Sequence, residues 1–189
     1  HKNLEIIKKN VLEISKKDFK NIDIVINLAA IANDPMSDLS PNLTWEISCI
    51  GSKKLIELSI QSGVKKFIHA SSSSVYGVKK ERKVTEDLSQ EPISLYNKAK
   101  MITERTLLSY KKDINIYIIR PATVCGLSPR MRFDLSVNML CYQAIYNKII
   151  TVHGGKQIRP NIHILDLLNL YLFFIKKKNK PTGIYNAGF

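Results

Sequence analysis

Three short runs of apolar, mostly β-branched residues recur along the chain: 22–30 (IDIVINLAA), 64–70 (VKKFIHA) and 114–119 (INIYII). Nearly continuous apolar runs of this length are expected of strands buried on both faces of a parallel sheet, because helices then cover both sides. The intervening segments carry helical periodicity. Ser40 stands as an N-cap before Pro41 at the first helical position, Leu43, Ile47, Ile50, Leu55 and Leu58 share one face, and Gly63 stops the helix. A second helix is expected from Leu95 to Tyr110, capped by Ser94. Strand, helix, strand, helix, strand at this spacing specifies an α/β, doubly wound parallel sheet with right-handed crossovers, in which ligands bind beyond the carboxyl ends of the strands. Those ends carry Leu28, Ala29 and Ala30, then Ser71 to Ser74, then Arg120, Pro121, Ala122 and Thr123.

After Gly126 the pattern loosens into a basic loop at 128–132, an apolar helix, a short strand expected near 149–152 and a helix over 164–176. The glycines constrain the fold by what they omit. Only eight occur, and no G-x-G-x-x-G or G-x-x-G-x-x-G can be assembled from them. A doubly wound nucleotide-binding sheet normally opens on such a turn, whose N–H groups and helix N-terminus hold a pyrophosphate. The expectation is a piece of a longer protein that lacks its first βαβ unit, in keeping with a chain that begins at His1.

Composition narrows the partners. Lys and Arg number 29 against 16 Asp and Glu, a net charge of +13, but the excess is lysine spread in pairs such as Lys53 and Lys54, not gathered in a stripe, so no nucleic acid is expected. Cys49, Cys125 and Cys141 are far apart and form no C-x-x-C, which argues against a disulfide framework or a metal site and for a reducing, cytoplasmic compartment. The longest apolar stretch, 167–175, is interrupted by Asn169 and falls well short of the roughly 18 residues a membrane span requires.

Tyr96 and Lys100 are four apart on the second helix and so share a face. A neighbouring ammonium favours the phenolate, which would make Tyr96 an acid/base nearer neutral pH than a free phenol. Tyr76 and Lys80 repeat the spacing, but Lys80 lies in a charged loop and is expected to be solvated. Leu28, Ala29 and Ala30 either let a helix pack closely or let a cofactor approach the backbone.

Taken together these segments resemble the extended short-chain dehydrogenase/reductase family, in particular its NAD-dependent epimerase/dehydratases of nucleotide sugars. The resemblance is carried by DIVINLAA, FIHASSSSVYG, the Tyr96 and Lys100 pair, RPATVCG, GGKQIRPNIHILD and GIYNAG, in the family's order and spacing. It implies a Rossmann-like sheet, with 1–126 a partial dinucleotide-binding domain and 127–189 a partial substrate-binding region with returning elements. It also implies roles. Ser72, Tyr96 and Lys100 become the catalytic set, with Lys100 also binding the ribose. Leu28, Ala29 and Ala30 line the dinucleotide, Asn10 and Val11 contact adenine, and Pro121 and Ala122 border the nicotinamide. Thr123 falls on the substrate side, and Arg159 grips the sugar nucleotide's diphosphate. His163 and Asp166 are expected to order a helix.

Several departures bear on activity. The family's dehydratases carry Asp-Glu where Ser73 and Ser74 stand, which disfavours dehydration; Ser48 replaces a usual Asn and Cys125 a usual Tyr. The resemblance therefore implies an NAD-dependent nucleotide-sugar epimerase acting through a keto intermediate, homodimeric through its helices 41–62 and 95–110, with the present chain alone inactive. A reductase or dehydrogenase on the same scaffold and a non-catalytic nucleic-acid-binding member are the alternatives. NADP is left open, because the residue that reads the ribose 2′ position belongs to the first βαβ unit.

Overall fold

The computed structural model describes residues 4–177 and 180–188. Six strands follow in chain order: β1 (Ile24–Asn27), β2 (Lys66–Ala70), β3 (Asn115–Pro121), β4 (Thr123–Cys125), β5 (Asn161–His163) and β6 (Gly183–Ala187). β1, β2, β3 and β6 form one wholly parallel sheet in that order, and β4 pairs with β5 in a second, also parallel. The doubly wound α/β reading holds.

β3 shows why its run is apolar throughout. Successive side chains point to opposite faces, so Ile116 and Ile118 enter a core with Ile56, Phe67 and Leu107, while Tyr117 and Ile119 enter another with Ile68, Leu167 and Phe174. β1 departs from the expected burial on both faces. It is the outermost strand of the described sheet, and Ile26 is left 40% exposed.

The helix expected from Pro41 runs without a break to Gln61, but not as α-helix throughout, and a further short helix precedes it. Asn33 caps α1 (Asp34–Leu39) by accepting the Met36 N–H at 2.9 Å, and α2 (Pro41–Trp45) follows at once. Ser40 makes no side-chain cap, contrary to the sequence expectation; its carbonyl instead accepts Thr44 N at 3.0 Å and Thr44 Oγ1 at 2.9 Å. A π-helical turn, Glu46–Ile50, leads into α3 (Gly51–Gln61). At the junction a Cβ on Gly51 would lie 2.8 Å from Val11 Cγ1, so the absence of a side chain there lets the 11–13 turn pack against the helix. Gly63, at φ +75°, terminates it as expected.

α4 (Leu95–Leu108) begins where expected, with Ser94 Oγ accepting the Asn97 N–H at 3.2 Å. α5 (Ser136–Tyr142) is short, and α6 (Ile164–Lys176) starts on His163, whose Nδ1 accepts the Leu165 N–H at 3.3 Å. That is the ordering role expected of His163; no side-chain hydrogen bond is described for Asp166. The strand expected near 149–152 does not form. Ile149, Ile150 and Val152 are all more than half exposed, and the Thr151 N–H goes to the Gln143 side chain at 2.9 Å instead of to a neighbouring strand. Among the described residues no helix is long and apolar enough to cross a membrane, and no cluster of His, Cys, Asp and Glu could hold a metal ion.

The far end of α6 is closed from the sheet. Lys66 Nζ donates to the carbonyls of Phe174 (3.0 Å), Ile175 (2.8 Å) and Lys177 (2.7 Å), meeting orphan acceptors at the negative end of the helix dipole. Lys66→Met is expected to destabilise the chain by about 1–2 kcal/mol. Lys65→Met, which breaks only an exposed pair with Asp23, should change stability by less than about 1 kcal/mol. Urea unfolding of both variants checks this, and equal effects would show that the capping contributes nothing.

Candidate functional site

The strand ends converge where α4 begins. Ser71 N donates to Ile119 O at 2.8 Å, extending the β2–β3 ladder by one residue before the chain turns away. Ser72 caps the 3₁₀ turn 73–76, its Oγ accepting the Ser74 N–H at 3.2 Å and lying 2.7 Å from Ser74 Oγ. Ser74 Oγ in turn donates to Asn97 Oδ1 at 2.5 Å, which fastens the serine run to the first turn of α4. Tyr96 and Lys100 therefore sit one turn apart directly behind Ser72.

Lys100 is 4% exposed, donates to Ala70 O at 2.6 Å, and holds its ammonium 5.8 Å from the centroid of the Tyr96 ring. Burial lowers its pKa to about 8, with the negative charge of Glu104 opposing the shift. Tyr96 is pushed the other way. Burial raises its pKa, against the hydroxyl of Ser72 and the positive charge of Arg132, while Asp34 adds to the rise. Spacing alone led us to expect Lys100 to favour the Tyr96 phenolate. The ammonium instead sits over the ring and bonds a backbone carbonyl, and loss of solvent dominates; the resting group is a phenol.

Tyr76 is engaged elsewhere. Its hydroxyl donates to Asn186 Oδ1 at 2.8 Å and accepts Arg120 Nη1 at 2.6 Å, and the guanidinium lies 4.6 Å from its ring centroid. Lys80 is exposed, as expected. Of the two Tyr/Lys pairs, only Tyr96 and Lys100 stand together at the strand ends.

Asn10, Val11, Leu28, Ala29 and Ala30, separated by up to 20 positions in sequence, line a single open trough of about 790 Å³ beside β1. Its floor is set by a buried polar chain: Asn27 Oδ1 accepts the Ala29 N–H at 3.1 Å, while Asn27 Nδ2 donates to Ser52 Oγ at 2.8 Å and faces His69 Nδ1 at 3.2 Å. Burial and the nearby charge of Lys100 hold the pKa of His69 well below its ordinary value, so it stays neutral. The Asn10 side-chain oxygen already takes the Leu12 N–H at 3.0 Å, which leaves the amide N–H₂ for a ligand.

Pro121 ends β3 and Ala122 follows it, both outside the trough lining, and the Ala122 N–H donates to Ala187 O at 2.7 Å. Thr123 is half-buried in β4. Arg159 is exposed within the irregular segment 148–160, and its carbonyl accepts from Asn161 Nδ2 at 3.0 Å. Sequence reasoning missed Arg132, close enough to act electrostatically on Tyr96 and held by Asp134 through Nε (3.1 Å) and Nη2 (2.6 Å). It also missed Glu104, 1% exposed and paired with Arg120 at 2.6 Å. The legible signal for Glu104 was a carboxylate two steps of four after Tyr96, on the face that must pack inward.

A dinucleotide fits these residues. Ala29 and Ala30 leave the trough open to a flat ring, and Lys100, with one acceptor met, keeps two donors for hydroxyl groups.

A profile of the NAD dependent epimerase/dehydratase family matches residues 2–188. Among curated proteins, the chain is 33% identical over 172 residues to an uncharacterized UDP-glucose epimerase, YtcB, of Bacillus subtilis, covering 87% of this chain and 53% of that protein. Among solved structures it superimposes on a UDP-glucuronic acid 4-epimerase from Bacillus cereus in complex with UDP-glucuronic acid and NAD, with TM-score 0.84 and 31% identity over 96% of this chain and 59% of the other. It also superimposes on a UDP-N-acetylglucosamine 4-epimerase from Methanobrevibacter ruminantium M1, with TM-score 0.89 and 26% identity over 100% of this chain and 62% of the other. The chain thus spans about half the length of the curated relatives it matches.

The geometry separates the two tyrosines experimentally. Tyr76→Phe should destabilise the chain by about 1–3 kcal/mol, because it removes a partner from the buried Arg120 guanidinium. Tyr96→Phe, which removes one neutral hydrogen bond and leaves no buried charge without a partner, should cost less, about 0.5–1 kcal/mol. Denaturant midpoints measure both, and the reverse order would overturn the assignment of Tyr76 to structure.

Proposed function

The chain belongs to the NAD-dependent epimerase/dehydratase family, and on that premise we propose that it is the central part of an NAD-dependent epimerase of UDP-sugars. The observation that carries this reading is the convergence of Ser72, Tyr96 and Lys100 on one strand-end corner, beside a trough lined by Ala29 and Ala30. Asn10, Val11, Leu28, Ala29 and Ala30 would hold the adenosine side of NAD and Lys100 its ribose, with Pro121 and Ala122 at the nicotinamide. Bound NAD supplies reversible oxidation of a sugar carbon.

The chain's own residues handle the proton. Once its own proton has passed to solvent, Tyr96 takes the proton of the sugar hydroxyl as that carbon becomes a ketone, and returns it when the carbon is reduced from its other face. Ser72 and Arg132, which already draw the pKa of Tyr96 down against burial, favour the phenolate when the hydroxyl arrives. Ser73 and Ser74 offer no carboxylate to remove water, so the sugar keeps its hydroxyl groups. Thr123 would lie on the sugar side and Arg159 would close on the diphosphate. A homodimer through α2 to α4, where Leu43, Ile50 and Ile102 are exposed, and a cytoplasmic setting for three unpaired cysteines complete the proposal.

In the protein translated from its complete reading frame, Tyr96→Phe should lower turnover by about 10² to 10⁴ with little change in substrate affinity. The assay follows UDP-glucuronic acid and UDP-glucose to their 4-epimers without added cofactor. Retained turnover in the variant, or product that forms only with added reduced cofactor, would sink the reading. Arg159→Ala should weaken UDP binding by about tenfold to a hundredfold, since each charged hydrogen bond is worth roughly 1.5–3 kcal/mol. Calorimetry showing unchanged UDP affinity would remove Arg159 from the site.

A further inference from the structure

Glu104 is more heavily engaged than a structural ion pair needs to be. Its carboxylate accepts Arg120 Nε at 2.9 Å and Nη2 at 2.6 Å, Gln90 Nε2 at 2.6 Å, and the hydroxyl of Ser71. Glu104 and Arg120 are 1% and 2% exposed as side chains. Apolar residues of similar volume often replace a buried ion pair with no loss of stability, so burying one is weak evidence of a stabilising role. Its position indicates a different role. Glu104 lies one turn after Lys100 on α4, and Ser71, which it holds, lies between Ala70, whose carbonyl binds Lys100, and Ser72.

We propose that Glu104, clamped by Arg120, is a positioning residue for the site: it fixes the backbone of Ser71 and Ser72 against α4 and sets a negative charge one turn behind Lys100. The proposal rests on the reading of Ser72, Tyr96 and Lys100 as the reacting set. The groups facing Lys100 are few. Glu104 and Tyr96 come from its own helix, Cys49 from the π-helical turn and His69 from β2. His69 is neutral, and burial raises the pKa of the Cys49 thiol, so it too is uncharged near neutral pH. Glu104 is thus the anion among them. Lys100 carries its proton below about pH 8 and loses it above. With the carboxylate neutralised, the proton should leave at lower pH, and any activity that needs the ammonium should fail sooner on the alkaline side.

The test uses Glu104→Gln and, because a lone buried Arg120 charge works against folding, the double variant Glu104→Gln with Arg120→Met, which removes both charges and keeps the volume. Lysine labelled with ¹³C at Cε reports the titration of Lys100 directly, with its signal identified by loss in Lys100→Met. The expected result is a midpoint about 1 pH unit lower in the folded double variant, with the alkaline limb of the kcat profile displaced alongside it. Ser71→Ala, which loosens the backbone without touching charge, should lower kcat while the Lys100 midpoint stays in place. An unchanged midpoint in the folded double variant, or an unchanged kcat in Ser71→Ala, overturns the positioning role. If the midpoint moves as expected while Lys100→Met remains fully active, the placement of the charge stands and it is the catalytic reading of Lys100 that fails.

Discussion

The ion pair between Glu104 and Arg120 is the constraint on which the strand-end corner depends. Through it α4 is tied to β3, and the same carboxylate reaches the end of β2 through Ser71 and the preceding loop through Gln90. Arg120 carries the connection onward, because Nη1 donates to Tyr76, and Tyr76 to Asn186 on β6. Asn186 then pins the 84–86 loop, its N–H going to Glu86 Oε1 at 2.7 Å and its Nδ2 to Val84 O at 3.1 Å. Removing one partner of such a pair leaves a buried charge uncompensated, typically at about 3–5 kcal/mol. The parts are held by mutual satisfaction of polar groups and not by apolar packing alone.

Burial acts on the two ionisable groups of the site in the same physical sense. It raises the pKa of Tyr96 and lowers that of Lys100, each toward its neutral form. The lysine remains charged near neutral pH because Glu104 opposes the shift. Tyr96 remains a phenol until something else stabilises its anion.

The trough beside β1 has a different origin. Its residues come from a turn at 10–11 and a strand end at 28–30, and they meet because Gly51 lets the 11–13 turn approach α3 while the Asn27, Ser52 and His69 chain holds the Ala29 N–H. The π-helical turn at Glu46–Ile50 contributes to the same packing. It presents the Ser48 carbonyl to Thr103 Oγ1 at 3.0 Å, joining the first helical segment to α4 one turn beyond Lys100.

The sequence by itself determined the elements and their order. The runs of β2 and β3, the Ser94 cap of α4 and the Gly63 stop follow from periodicity and local hydrogen bonding, which short stretches of chain decide. The Tyr96 and Lys100 pair was legible for the same reason, since a helix fixes the spacing of residues four apart. Tertiary structure decided what depends on neighbours distant in sequence. It wound a π-helical turn into the helix after Ser40, left the 149–152 segment without a strand to pair with, engaged Tyr76 in the core, and turned Tyr96 into a resting phenol. Glu104 shows the division most clearly: the sequence places it on the inward face of α4, but its four hydrogen bonds come from Ser71, Gln90 and Arg120. No local rule brings those residues together. Only the closing of the sheet does, because a buried carboxylate must find its donors wherever the folded chain supplies them.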